Sequence, residues 1–504
     1  MPRTQGQLAT LGNRSLLKVS RYAHVFHYPD GLILAYNSLF GNLLKLEGQS
    51  GSDIAAVLEG HTPSLNSPYQ DDLIEAGFLL ESDIDELNVV KEIWRKGRRK
   101  KGDVMLTILP TLSCNFRCPY CFERHTKGLM LAAVQDALVN FASRYLLPKS
   151  KELSIDWFGG EPLVGLSVMK SLTARLREAC SAAGLPHPTG SVTTNGYLLD
   201  PAMYQQLMDL GIRSAQITID GPPEIHNRRR PMVGGQPTFD HIIRNIQDVP
   251  EGFSLSIRIN VDSGNVNHIF ELIELLHREG ILPRVTAYTG IVESFSEECR
   301  SSDGMFLTSE QYAKFKVDLN RQCEAAGIPW SSSESPRLVA YGYCIVDQPK
   351  GFVIQPDGKL LKCWAEAGNA TARPVADLLQ EDTWGPLFAK LPKNKCGSSS
   401  PRPEPVPTLQ LVKINQVPGA SPVRITPVSP LQSRDPFDDE ECCECSLLPA
   451  CMGGCPTIRE NLRFQGVKRC PPLRYSLPEE VRALYVRQQS SGSDTPQTRR
   501  LQSI

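Results

Sequence analysis

Between residues 103 and 295 the chain repeats one pattern, a short β-rich apolar run followed by a stretch with helical spacing. The runs fall at residues 104–109, 153–158, 191–194, 215–219, 255–261 and 284–288. Between the first two, Val134, Leu138, Phe141 and Tyr145 share one helical face. Parallel neighbours need a long crossover, and a helix is the usual one, so six such units predict a parallel sheet covered by helices. Polar or glycine-rich residues follow most of the runs: Cys114 onward, Gly159-Gly160-Glu161, Asn195-Gly196 and Asp220-Gly221. In α/β barrels the chemistry sits at that end of the strands. The pattern predicts a barrel-like enzyme rather than a scaffold.

On either side the organisation changes. HVFHYPDGLILAYNSLFGNLLKL reads as a hairpin around Pro29-Asp30-Gly31, followed by a helix at residues 51–59 and an apolar segment ending in Ala76-Gly77-Phe78-Leu79-Leu80. The basic run from Arg95 to Lys101 reads as a solvated linker, with a contact surface for an acidic partner as its alternative. A Pro/Ser-rich stretch at about 393–440 has no period and reads as a long mobile insertion, and the polar tail after Gln488 as disordered. The expected domains are 1–102, 103–335, 336–480 and a tail at 481–504. With 41% hydrophobic and 22% charged residues the chain is an ordinary soluble globular one. A net charge of -1 offers no field for nucleic acid. No run approaches the ~18 apolar residues of a membrane span, and the N-terminus lacks the apolar core of a secretory signal. The expected compartment is therefore the cytoplasm.

Fifteen cysteines in such a chain point to metal ligands or redox groups rather than disulfides. Cys114, Cys118 and Cys121 are spaced C-x3-C-x2-C just after the first strand. Three thiolates can hold three corners of a [4Fe–4S] cube and leave the fourth iron open to a ligand that is not protein. A cube built only for electron transfer normally takes four cysteines. Zinc is the rival, since C-x2-C is its spacing too. It would want a fourth Cys or His, and C-x3-C-x2-C-x3-H ending at His125 is not a common finger spacing.

The three cysteines, with Tyr120 at the aromatic position, resemble the signature of radical S-adenosylmethionine enzymes. Gly159-Gly160-Glu161-Pro162 resembles that family's second-strand motif, which contacts the amino group of the methionine moiety. Thr194-Asn195-Gly196 resembles the third-strand motif and Ile219-Asp220-Gly221-Pro222 the fourth. Arg258 and Asn260 look like the fifth-strand polar pair that faces the cofactor. Singly, Gly-Gly-Glu-Pro and Asp-Gly are turns and Arg258 a surface or ion-paired arginine. Their order after successive strands is what carries the likeness. The resemblance implies a partial (β/α)6 barrel. It implies S-adenosylmethionine bound on the open iron and cleaved by one electron to methionine and a 5′-deoxyadenosyl radical. It also implies an electron donor such as flavodoxin or ferredoxin.

The second cysteine set resembles the SPASM extension of radical enzymes that modify peptides and proteins. Cys344, Gly358 and Cys363 come first; Cys442, Cys445, Cys451 and Cys455 follow as C-x2-C-x5-C-x3-C, and Cys470 closes the run. That resemblance implies two auxiliary [4Fe–4S] clusters, one on Cys442, Cys445, Cys451 and Cys470, the other on Cys344, Cys363 and Cys455. Cys299 and Cys323 are the distant candidates for a further ligand to the second, so full ligation and an open iron both stand. A pair of zinc ribbons is the structural alternative. Cys180 reads as a small buried residue of a helix, Cys443 as a bystander and Cys396 as an exposed thiol of the insertion.

For the substrate, sulfatase-maturing relatives carry an aspartate directly after the Gly-x4-Cys cysteine, where this chain has Trp364. The N-terminal module resembles winged-helix-like leader-binding modules, which would add a leader peptide along a sheet edge; a cap on the barrel explains the same residues. The expected function is hydrogen abstraction from a ribosomally made precursor peptide, ending in a crosslink. Protein side-chain oxidation and a non-catalytic iron–sulfur or zinc scaffold are the alternatives. The sequence assigns no catalytic acid or base.

Overall fold

The computed structural model describes residues 17–61, 68–98, 103–282, 284–293, 306–330, 344–369, 372, 374–388, 436–460 and 470–490. The end of the basic run, most of the expected insertion, the far end of the tail, Cys299 and Cys396 lie outside the described residues.

The N-terminal module holds β1 (Leu17–Val19), β2 (Ala23–His27), β3 (Ile33–Asn37), β4 (Leu43–Leu46) and β5 (Leu79–Glu81). The expected hairpin is β2–β3, antiparallel with His27 opposite Ile33. Gly31 takes φ +81° at its tip, a conformation open to glycine at no steric cost. β4 extends this sheet, and β1 pairs separately with β5.

The barrel strands are β6 (Asp103–Ile108), β7 (Glu152–Trp157), β8 (Thr189–Thr194), β9 (Ile212–Thr218), β10 (Ser254–Val261) and β11 (Thr286–Ile291). They lie side by side in chain order, all parallel. Burial alternates along them with the period of the pleat. In β10, Leu255, Ile257, Ile259 and Val261 are buried, while Ser256, Arg258 and Asn260 are half-buried. The apolar face packs under helices such as Leu166–Ala182, Phe239–Gln247 and Ile269–Arg278. Each buried Leu or Ile there contributes about 1.5–3 kcal/mol. The other face is polar: the Ser191 hydroxyl donates to Asp156 at 2.5 Å, and Tyr288 donates to Gln216. A closed α/β barrel fills its interior with branched apolar side chains; this one lines it with groups that want polar partners.

The sheet does not stop at β6. β12 (Gly351–Ile354) pairs parallel to it, with Gly351 opposite Met105, and β13 (Lys359–Leu361) and β14 (Ala376–Asp377) continue antiparallel. The segment carrying Cys344 and Cys363 is thus built onto the barrel's first edge.

The N-terminal module packs against the C-terminal cysteine region. Leu34, Tyr36 and Leu43 share a core with Leu447, Ala450, Leu473, Leu477 and Val481. Tyr22, Leu39, Val90 and Trp94 share another with Leu448 and Met452. Ser38 donates to the Ser446 carbonyl at 2.7 Å, and Arg482 pairs with Asp30 at 2.7 Å. A buried Lys316–Glu480 pair at 3.4 Å ties helix Ser309–Ala325 to helix Leu473–Ser490. Among the described residues no helix is long and apolar enough to cross a membrane.

Candidate active site

Cys114, Cys118 and Cys121 sit on the loop that leaves β6, at the C-terminal edge of the parallel sheet. The three thiols are close enough to raise one another's cost of ionising. Burial is the larger cause: it pushes Cys114 up to about 12 and Cys118 and Cys121 above the ordinary thiol range. A coordinated metal removes such a proton outright, so this donor set suits a cation that compensates buried thiolates. The Phe116 N–H already donates to Cys114 Sγ at 3.3 Å. His125 Nε2 lies 3.6 Å from Cys121 Sγ. Among the described residues no three His, Cys, Asp or Glu converge on a single ion.

The glycines after β7 let two backbones meet. A Cβ on Gly160 would stand 2.5 Å from the Ser113 carbonyl oxygen and 2.6 Å from that of Leu112. Gly159 combines φ +116° with a Cβ position 2.4 Å from the Thr111 oxygen. The Glu161 N–H donates to Ser113 at 2.9 Å, which stitches this turn to the residue before Cys114. The Glu161 carboxylate is fully buried and points into the protein: it accepts from Thr194 Oγ1 at 2.8 Å, Asn195 N at 2.8 Å and Leu163 N at 3.0 Å. Burial raises its pKa, opposed by those donors. Asn195 Nδ2 in turn donates to Asn115 Oδ1 at 2.7 Å, beside Cys114. The second and third strand motifs therefore brace the cysteine loop.

Tyr120 and Asp220 meet in a buried polar network that sequence reasoning missed in part. The Tyr120 hydroxyl donates to Asp220 and accepts from Arg230. Arg229 grips Asp262 with two bonds of 2.9 and 2.7 Å, and its guanidinium stands 4.9 Å over the Tyr120 ring. Asn260 N donates to Asp220 at 3.2 Å, while Arg258 donates to Asn260 Oδ1 at 2.8 Å on the polar face of β10. Arg229, Arg230 and Asp262 carried no signal in the sequence, because HNRRRP looks like a solvated basic turn.

Seven of the other described cysteines fall into two sets. Cys344, Cys363 and Cys455 feel one another's charge, with burial pushing Cys344 up to about 11 and Cys363 up to about 12. Thr457 donates to Cys363 Sγ at 3.2 Å. Cys451 likewise feels the charge of Cys445, Cys442 and Cys470, and burial pushes it up to about 12. Backbone N–H groups of Leu447 and Gly453 reach Cys445 and Cys451 at 3.4 Å each, and Arg474 reaches Cys470 at 3.1 Å. Cys323 is buried in the barrel core, as is Cys180. Cys443 Sγ donates to the Phe437 carbonyl.

Trp364 leans on the first loop. Its ring lies 5.8 Å from that of Phe122, next to Cys121, and 6.0 Å from that of Phe158 at the end of β7. An aromatic wall thus joins the first thiol loop to the second set.

A family model described as the Radical SAM superfamily matches residues 108–276. The chain carries a radical SAM domain. Fe-coproporphyrin III synthase of Methanosarcina barkeri is 25% identical to it over 228 residues, 44% of this chain and 52% of that protein. The serine-type anaerobic sulfatase-maturating enzyme of Klebsiella aerogenes is 24% identical over 276 residues, 50% of this chain and 64% of that enzyme. The chain thus spans between about half and two thirds of the length of these relatives. Among solved structures, anSMEcpe with bound AdoMet superposes with a TM-score of 0.54 at 18% identity, covering 80% of this chain and 98% of that one. That is a likeness of fold.

Proposed function

We propose that the chain is a radical S-adenosylmethionine enzyme that modifies a ribosomally made peptide or protein, with crosslinking as the outcome. The observation that carries this is the cysteine loop after β6, stitched to Gly159-Gly160 and Asn195 at the mouth of a parallel sheet whose inner face is polar. Cys114, Cys118 and Cys121 would hold a [4Fe–4S] cube. Cys442, Cys445, Cys451 and Cys470 would hold one auxiliary cluster, and Cys344, Cys363 and Cys455 the other. When bound, the first cube with S-adenosylmethionine supplies one-electron C–S cleavage and, through it, hydrogen-atom abstraction.

The chain's own residues do the rest. Gly159 and Gly160 let the turn after β7 close directly on the backbone of the cysteine loop and hold it in place. Asp156, Gln216, Arg258 and Tyr288 offer polar contacts across the inner face. Phe122, Phe158 and Trp364 form an aromatic contact between the two thiol sets. A peptide substrate is supported by the likeness of fold to anSMEcpe, whose structure holds AdoMet and a Cp18Cys peptide (TM-score 0.53, 18% identity). A small flavodoxin or ferredoxin in the cytoplasm would deliver the electron. Trp364 disfavours sulfatase-type side-chain oxidation, because it places an aromatic ring where those enzymes keep a carboxylate.

The test is anaerobic incubation of the iron-loaded protein with S-adenosylmethionine and dithionite, assayed for 5′-deoxyadenosine. Wild type should form it and Cys114→Ala should not. A fully loaded wild type that forms none would mean a scaffold.

A further inference from the structure

Arg230 is the buried cation whose charge the polar network does not absorb. Arg229 spends two donors on Asp262 and also lies 3.7 Å from Asp220. Arg230 reaches Asp220 only at 3.9 Å and gives its close hydrogen bond to a neutral hydroxyl, that of Tyr120. Its Nε is buried and has no hydrogen-bond partner. A guanidinium stays charged in any protein environment, and a buried charge short of partners is costly.

The backbone fixes where that charge sits. Residues 231–233 pair with the cysteine loop: Arg117 N donates to Pro231 O at 3.0 Å, Val233 N donates to Asn115 O at 2.8 Å, and Phe116 bridges Met232. The guanidinium stands 6.0 Å from the centre of the Phe116 ring, between Cys114 and Cys118 in the chain. Cys118, Tyr120 and Asp220 are the groups within reach of the Arg230 charge.

We propose that Arg230 is a positioning residue for the cube at Cys114, Cys118 and Cys121, holding a fixed positive charge against Cys118 so that the added electron is stabilised. This rests on the proposed function. One electron makes the cube more negative, and a fixed cation beside the cysteine loop, in a medium of low effective dielectric, favours that state. Tyr120 then serves as the bracket: its hydroxyl accepts from Arg230 and donates to Asp220, which sets the guanidinium's place.

The experiment is an EPR-monitored reductive titration of the full-length iron-loaded protein, following the reduced-cube signal that changes when S-adenosylmethionine is added. In Arg230→Gln, iron content should match wild type while that signal's midpoint falls. The reduced-to-oxidised ratio at a fixed solution potential should drop about tenfold or more, the scale set by loss of one nearby charge. Arg230→Lys, which keeps the charge without the planar fork, should stay near wild type. An unchanged midpoint in Arg230→Gln overturns the proposal, as does a fall in Arg230→Lys as large as that expected for Gln. The Lys variant decides the matter if the Gln variant loads no iron. A wild type with no signal responsive to S-adenosylmethionine overturns the function itself, and this role with it.

Discussion

Gly160→Ala tests how tightly the turn after β7 must close on the cysteine loop. The added methyl would sit 2.5 Å from the Ser113 oxygen, 2.6 Å from the Leu112 oxygen and 2.8 Å from the Leu112 carbonyl carbon. All three are backbone atoms, so no side chain can swing away. Either the turn or residues 112–113 must move, and residue 113 precedes Cys114. Overpacking of this kind costs about 1–3 kcal/mol. The 2.9 Å bond from Glu161 N to Ser113 O would also lengthen, for about 1 kcal/mol more. The assay pairs thermal unfolding with iron analysis after anaerobic reconstitution. Three proposed cubes hold equal iron, so losing the first would remove about a third of the total. Gly385→Ala is the control, since its Cβ would meet nothing within 4 Å. A Gly160→Ala protein with the wild-type thermal midpoint and full iron would refute the idea that a tight backbone approach shapes this site.

Burial, and then the Glu161 charge, holds the Glu123 carboxyl up to about 8. In the unfolded chain it titrates near ~4.3, so the native state binds the extra proton, and this group's contribution to stability is lost as pH rises through about 8. The thermal midpoint of iron-free protein should therefore fall between about pH 5 and 8, and Glu123→Gln should flatten that fall; parallel curves would refute it. Asp262→Ala removes both close hydrogen bonds of the Arg229 guanidinium and leaves it only Asp220 at 3.7 Å, and breaking such a buried pair costs up to about 3–5 kcal/mol in urea unfolding; a change under about 1 kcal/mol would count against it. Deleting residues 1–102 returns Leu447, Leu448, Leu473 and Val481 to water at about 1.5–3 kcal/mol each. The truncated chain should aggregate or lose the iron of the Cys442 set, and a soluble one with full iron would refute the docking.

The six barrel strands were legible because each is a compact apolar run between breakers, and all six lie within three residues of their expected places. The last ran later, at Thr286–Ile291, because Val285 is buried in the loop before it, its N–H bonded to Ile281. β12 to β14 were not legible. They are two to four residues long, and β12 joins the barrel sheet only through its long-range pairing with β6, Gly351 opposite Met105. The cysteine sets could be sorted in sequence because thiols a few residues apart share a loop. The arginines could not be, since their burial depends on Asp220 and Asp262 arriving from two other strands. The bonds of the buried Glu161 carboxylate to Thr194 and Asn195, which hold the second and third strand ends together, were not legible, because they join motifs more than thirty residues apart.

How the N-terminal module meets the cysteine region changes what a leader-binding role would mean. A module on a flexible tether presents its peptide at a concentration set by tether length. This one is bolted down: Arg21 donates to the Cys443 carbonyl at 2.6 Å, His24 Nε2 lies 3.2 Å from the Ser446 carbonyl oxygen, and Tyr28 donates to Pro478 at 2.6 Å. The free edges of β2 and β4, each paired only with β3 among the described residues, are therefore fixed relative to the thiols of the Cys442 set. A leader added as a strand along either edge would leave the module at a set point, and an extended chain advances only ~3.3 Å per residue. The number of residues between leader and target would then act as a ruler. Inserting or deleting three residues in that spacer should move the modification by a matching number of positions or abolish it, as read by tandem mass spectrometry of the product. Modification of the same side chain whatever the spacer length would mean that the module does not hold the leader.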